Sequence, residues 1–195
     1  MNSIENNLKE ILQKIEYAEQ KYNRTKGTVK LLAVSKFHPV DAVEKAISAG
    51  HLLFGENRVQ EAVAKFSDIN SFNKDVELHI IGQLQTNKVK KAVTVASCIE
   101  SVDRIDLLKE IQKQCEKINK KIKILFEINT AEDSKSGFKN YEDLYEAVKY
   151  CADGNTPFVE PIGFMTMAPL TDDKSLIRKS FSSLRKLSEK LQSEF

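Results

Sequence analysis

The sequence predicts an α/β fold of parallel strands, with a (β/α) barrel favoured over a doubly wound sheet. Three observations carry the prediction. Short, nearly continuous apolar runs alternate six times with stretches of 3–4 apolar spacing, a pattern that means parallel strands joined by right-handed crossovers. No Gly-x-Gly-x-x-Gly follows the first strand, so the usual dinucleotide device is absent. Residues of chemical interest gather at the carboxyl ends of several strands: Lys36, Asn57, Gln83 with Asn87, Asn129, and Met165 with Thr166. Barrels build their sites on that face, although a doubly wound sheet also places ligands there.

The elements follow in order. Ile4, Leu8, Ile11, Leu12, Ile15 and Ala18 put one apolar stripe on a helix running to about Tyr22. A polar turn, Asn23-Arg24-Thr25-Lys26-Gly27, precedes the first strand, Leu31-Leu32-Ala33-Val34-Ser35-Lys36. Its near-continuous apolarity is that of a strand inside a parallel sheet. Pro39 opens a helix through Val40, Val43, Ala46 and Ile47, and Gly50 follows its end, the expected asymmetry of these two residues. The second strand is expected at His51-Leu52-Leu53-Phe54, and a helix over Asn57 to Phe66 follows from the spacing of Val59, Val63 and Phe66. Leu78-His79-Ile80-Ile81-Gly82 is the third strand, with a helix around Lys88 to Ala96 behind it.

A weaker fourth strand, Cys98-Ile99-Glu100-Ser101-Val102, leads to Asp103, expected to cap a helix through Leu107, Leu108, Ile111 and Cys115. The fifth strand, Ile122 to Ile128, is the clearest in the chain. A polar loop from Asn129 to Phe138, a helix near Tyr141 to Cys151, a sixth strand at about Val159 to Met167 and a last helix over about Asp172 to Leu191 complete the pattern. Gly55 and Gly82 are expected to permit tight turns at strand ends.

Composition narrows the function classes. At 195 residues and 41% hydrophobic, the chain is long enough for one domain with a real core, spanning 1–195. Thirty basic and 28 acidic residues leave a net charge of +2 without a dense basic block, so there is no electrostatic case for nucleic acid or a membrane surface. No apolar run approaches the roughly 20 residues that span a bilayer. The polar, acidic start is unlike a secretory signal. Cys98, Cys115 and Cys151 are odd in number and far apart, which reads as reduced thiols of a cytoplasmic protein. His38, His51 and His79 have no ligand-like spacing, so no metal site is expected.

Lys36 is the chemical focus. At the end of a buried strand, desolvation favours the neutral amine, a nucleophile able to form a Schiff base. The bland alternative is an ammonium that simply reaches solvent from the strand end.

Five motifs occur in order: Ala33-Val34-Ser35-Lys36; Phe54-Gly55-Glu56-Asn57-Arg58-Val59-Gln60-Glu61; His79-Ile80-Ile81-Gly82-Gln83-Leu84-Gln85-Thr86-Asn87-Lys88; Ser134-Lys135-Ser136-Gly137; and Gly163-Phe164-Met165-Thr166-Met167. Together they resemble the pyridoxal phosphate homeostasis protein family, from the first helix to the final residues. The resemblance implies a (β/α)8 TIM-type barrel of the alanine racemase N-terminal kind, here with about six of eight βα units. It implies pyridoxal 5′-phosphate held as a Schiff base on Lys36, with Asn57, His79 and Met165 matching positions that line the cofactor pocket. Each has a plainer reading: Asn57 as the N-cap of the next helix, His79 as a satisfied core histidine, Met165 as core filler. Lys135 reads as a solvated loop residue.

The family resemblance implies a carrier or buffer that keeps the cofactor and linked amino-acid pools in balance, with pyridoxal phosphate-dependent apo-enzymes as the implied protein partners. Racemising an amino acid needs a base on each face of the Cα, which one lysine does not supply. A small pyridoxal-dependent racemase or lyase is the alternative, and a cofactor-free Schiff-base aldolase the third reading. The family continues into a seventh and an eighth strand that hold the cofactor's phosphate. The sequence is therefore expected to form a barrel incomplete at its C-terminus and to bind the cofactor weakly unless something closes it.

Overall fold

The computed structural model describes residues 3–130 and 136–195. Helix α1 (Ile4–Lys21) precedes β1 (Ala33–Val34), and α2 (Val40–Ser48) leads to β2 (Leu53–Glu56). Then come α3 (Val59–Phe72), β3 (Glu77–Ile80), a short 3-10 turn, α4 (Val89–Val95) and β4 (Cys98–Val102). The chain continues with α5 (Ile105–Lys117), β5 (Ile122–Glu127), α6 (Tyr141–Ala152), β6 (Val159–Met165) and α7 (Lys174–Glu194). The six strands lie side by side in sequence order, and every pair is parallel. This is the (β/α)-barrel order expected from the alternation, with six strands described.

Alternation divides the sheet into two faces. Phe54 and Glu56 turn toward α3, where Phe54 meets the Phe66 ring at 5.7 Å and Glu56 meets Lys65. Leu78, Ile80, Ile99, Ile122, Ile124 and Phe126 are buried in the core that the helices share with the sheet, beside Leu107, Leu108 and Ile111 of α5. The opposite, inner face carries one unbroken row in register: Val34, Gly55, His79, Cys98, Lys123 and Glu160. This row is mixed in character. Among the described residues no strand pairs with the outer edges of β1 and β6, and Val34 on the inner face is 43% exposed. Pro161 and Gly163, at φ +146°, interrupt β6, which an edge strand tolerates because one side needs no ladder donors.

Several expectations are corrected. β1 pairs over two residues rather than over Leu31 to Lys36, and the chain turns at Phe37, whose φ is +64°. Lys36 therefore lies in the turn beyond the strand. Asp103 does not cap α5: Arg104 holds the N-cap position, and the Asp103 carboxylate accepts from the Arg104 guanidinium instead. Gly55 and Gly82 do not carry positive φ. Both are there for space. A Cβ at Gly55 would lie 2.3 Å from Leu32 Cδ2, and one at Gly82 would lie 2.5 Å from the Asn57 carbonyl oxygen.

Near the amino-terminal end of the sheet, Lys120 caps the end of α4. Its Nζ donates to the carbonyls of Val93 at 2.8 Å and Ala96 at 2.7 Å, which the end of α4 leaves without helical donors. Burial lowers the lysine's pKa. Lys120→Met keeps the apolar stem and removes these bonds, so it is expected to cost about 2 kcal/mol, measured as a loss of unfolding free energy in urea.

Candidate functional site

The carboxyl ends of β1 and β2 are joined by side chains as well as by the ladder. Ser35 N donates to the Gly55 carbonyl at 3.0 Å. Its Oγ donates to Glu56 Oε1 at 2.7 Å, and Lys65 Nζ from α3 donates to the same carboxyl oxygen at 2.8 Å and to the Ser35 carbonyl at 2.7 Å. Glu56 is fully buried. Lys36 follows Ser35 directly and is half-buried. The sequence pattern predicts this lysine as the last residue of the first strand; the structure sets it two residues beyond β1, on a tightly held turn.

Asn57 follows β2 next door. It does not cap α3, whose N-cap is Arg58 with no side-chain bond closing the helix. Instead it lines a cleft of about 470 Å³ with Arg58, Glu61, Gln83, Gln85 and Lys88. Gly82 allows the β3 end to approach the Asn57 backbone closely. His79 lies in the inner-face row, in register with Gly55. Its Nδ1 meets Glu100 Oε1 at 2.6 Å; a carboxylate only accepts, so Nδ1 carries the hydrogen. Its Nε2 is buried, lies 4.0 Å from Glu77 Oε2 and has no hydrogen-bond partner among the described residues. His79 is thus neither a fully satisfied core histidine nor one aimed at the apolar layer.

Met165 ends β6, at the other edge of the sheet from β1, and pairs in register with Glu127. Beyond it, Thr166 Oγ1 donates to the Ile128 carbonyl at 2.8 Å and lies 2.8 Å from Thr130 Oγ1, tying the ends of β5 and β6 together. Ser134 and Lys135 fall outside the described residues. The structure thus sets Lys36 and Asn57 just beyond the ends of the neighbouring strands β1 and β2, His79 on the inner face within β3, and Met165 at the end of β6 on the far edge.

Two carboxylates escaped sequence reading. Glu56 and its partner Lys65 are nine residues apart on different elements, and no periodicity marks them. Glu127 could have been flagged, being the only acid in the apolar run from Ile122 to Ile128. Ser136 Oγ donates to its Oε1 at 2.6 Å, and its Oε2 is buried without a hydrogen-bond partner among the described residues. The carboxyl lines a small cavity of about 130 Å³ with Asn129, Ser136 and Met167. The inner face and its rim thus carry a half-buried primary amine, together with a buried imidazole nitrogen and a buried carboxyl oxygen that have no hydrogen-bond partner among the described residues.

Burial pushes the Glu127 carboxyl above its ordinary 4.5; the Ser136 hydroxyl opposes the shift and the charge of Asp103 adds to it. The folded protein thus keeps a proton that the unfolded chain has released. This stabilising contribution is complete below the ordinary value and is lost as pH rises through the raised one. Urea unfolding of parent and Glu127→Gln from about pH 4 to about pH 8 is expected to show the parent losing ground to the variant as pH rises. A pH-independent difference would refute the shift.

The profile of the family described as alanine racemase, N-terminal domain, matches residues 4–195. The pyridoxal phosphate homeostasis protein of Aquifex aeolicus is 35% identical over 195 residues, covering 100% of this chain and 83% of that protein. PipY of Synechococcus elongatus, solved with PLP bound, superposes with a TM-score of 0.79 at 30% identity, over 92% of this chain and 82% of that one. An alanine racemase of Clostridium difficile, at 13% identity and a TM-score of 0.72, over 93% of this chain and 47% of that one, shares the fold. Matched along its length in sequence and along most of it in structure, the chain belongs to the pyridoxal phosphate homeostasis protein family, on the alanine racemase N-terminal fold.

Proposed function

We propose that the chain binds pyridoxal 5′-phosphate through a Schiff base to Lys36 Nζ and serves as a carrier in the homeostasis of that cofactor and of linked amino-acid pools. The observation that carries this reading is the half-buried Lys36 on a held turn at the carboxyl end of β1, in a family with a PLP-bound member. The cofactor supplies an aldehyde that accepts a primary amine, and the chain's own residues position that amine. Asn57 gives a polar contact beside the lysine's loop. His79, held by Glu100, presents Nε2 from the inner face, and Met165 packs against the ring from the β6 end.

The carrier reading gives Lys36 no opposing base, which an amino-acid racemase would need. Pyridoxal phosphate-dependent apo-enzymes are the proposed recipients, and the cytoplasm the proposed compartment. Among the described residues the three cysteines form no disulfide, and no helix is long and apolar enough to cross a membrane.

Titration with pyridoxal 5′-phosphate, followed by borohydride reduction and peptide mapping, is expected to place the label on Lys36, with loss of the visible band in Lys36→Ala. Label scattered over exposed lysines, and unchanged in the variant, would overturn the assignment.

A further inference from the structure

We infer that Lys65, Glu56 and Glu61 are positioning residues for Lys36, an inference that rests on Lys36 being the cofactor lysine. Both peptide units flanking the Lys36 Cα are hydrogen-bonded to side chains of α3. The carbonyl of Ser35 accepts from Lys65 Nζ at 2.7 Å, and the N–H of Phe37 donates to Glu61 Oε2 at 3.3 Å. Lys65 and Glu61 are one helical turn apart, 3.7 Å from each other, so one face of α3 grips both sides of the lysine. From β2, Glu56 Oε1 receives Ser35 Oγ and Lys65 Nζ together and locks the two grips into one unit.

The backbone needs this grip. β1 pairs over only two residues, and the ladder ends before Lys36 apart from the bond of Ser35 N to the Gly55 carbonyl. At Phe37 the chain adopts φ +64° with its ring 75% exposed, a left-handed conformation that a bulky residue keeps only when its surroundings impose it.

Stability alone does not account for the arrangement. The Phe54–Phe66 contact already seats α3 on β2. A fully buried carboxylate whose second oxygen has no partner among the described residues is a poor way to gain stability, since apolar replacements of such pairs are often neutral or better. What the charges add is direction: Lys65 and Glu61 each place one bond on the main chain beside Lys36, and Glu56 holds Lys65 where it makes that bond.

The test separates position from stability. Lys65→Met leaves Glu56 buried and uncompensated and is expected to lower the urea midpoint and to slow cofactor addition at Lys36. The double variant Glu56→Gln with Lys65→Met removes both charges and is expected to regain most of the midpoint. Its rate of band formation with pyridoxal 5′-phosphate should nevertheless stay about tenfold below the parent, with the borohydride label spread beyond Lys36. Glu61→Leu, at a half-buried position, leaves the buried pair intact and should slow addition as well, which keeps the test open if the buried variants unfold. Recovery of the rate together with the midpoint in the double variant, or parent-like rates in Glu61→Leu and the double variant, would overturn the inference. Parallel labelling of Lys36→Ala separates failure of the grip from failure of Lys36 itself: an unchanged band there removes the underlying assignment.

Discussion

Six parallel strands in unbroken sequence order force every second side chain onto a common inner face, and the candidate site takes its position from that constraint. Register leaves little choice. Once Gly55 pairs with both Val34 and His79, and Cys98 pairs with both His79 and Lys123, the chemistry of the inner face is fixed by which residues alternate away from the helices. The outer face is filled with Leu, Ile, Val and Phe, whose burial drives folding. The inner face holds His79, Glu100, Cys98 and Lys123, which gives up some of that driving force to keep polar groups below the rim.

The balance shows in how these groups are paired. Burial pushes the Cys98 thiol up to about 12, with the Glu100 charge adding to the rise, so this sulfur is a small packed atom and not a nucleophile. Glu100 is engaged by His79. Among the described residues, the buried side-chain atoms without a hydrogen-bond partner are His79 Nε2, Glu56 Oε2 and Glu127 Oε2. A buried polar atom without a partner costs free energy, and all three belong to residues at or just below the carboxyl-terminal ends of β2, β3 and β5. A uniformly apolar barrel interior would be more stable and chemically empty.

Much of this was legible in the sequence. Strand–helix alternation and the missing glycine fingerprint were enough for the fold class, while position and the motif resemblance pointed to Lys36, Asn57, His79 and Met165 as the proposed site. What was not legible has physical causes. The shortness of β1 follows from where the chain turns away, at Phe37, which no local pattern reveals. The glycines at 55 and 82 looked like turn formers, because sequence shows that a side chain is missing but not whether φ or space requires it; the contacts with Leu32 and Asn57 decide for space. Asp103 has the right residue type for a cap, yet Arg104 follows it and captures the carboxylate. The junction of Ser35, Glu56 and Lys65 joins three elements, and only the fold brings them together.

Three lysines show why residue type alone could not identify the site. Lys120 and Lys65 are both held by main-chain carbonyls, Lys120 at the end of α4 and Lys65 at the end of β1. The first satisfies a helix terminus and has no carboxylate ion pair among the described residues. The second brings a buried carboxylate with it and spends its bonds on the peptide unit next to another lysine. Lys36 itself is half-buried, and the bonds described around it belong to its neighbours, Ser35 and Phe37. An amine that must exchange a ligand is poorly served by a structural ion pair, because an anionic partner favours the ammonium, whose nitrogen has no lone pair to react. On the proposed assignment the fold divides the work: Lys65 carries the permanent bonds, and the backbone they hold leaves Lys36 to the cofactor.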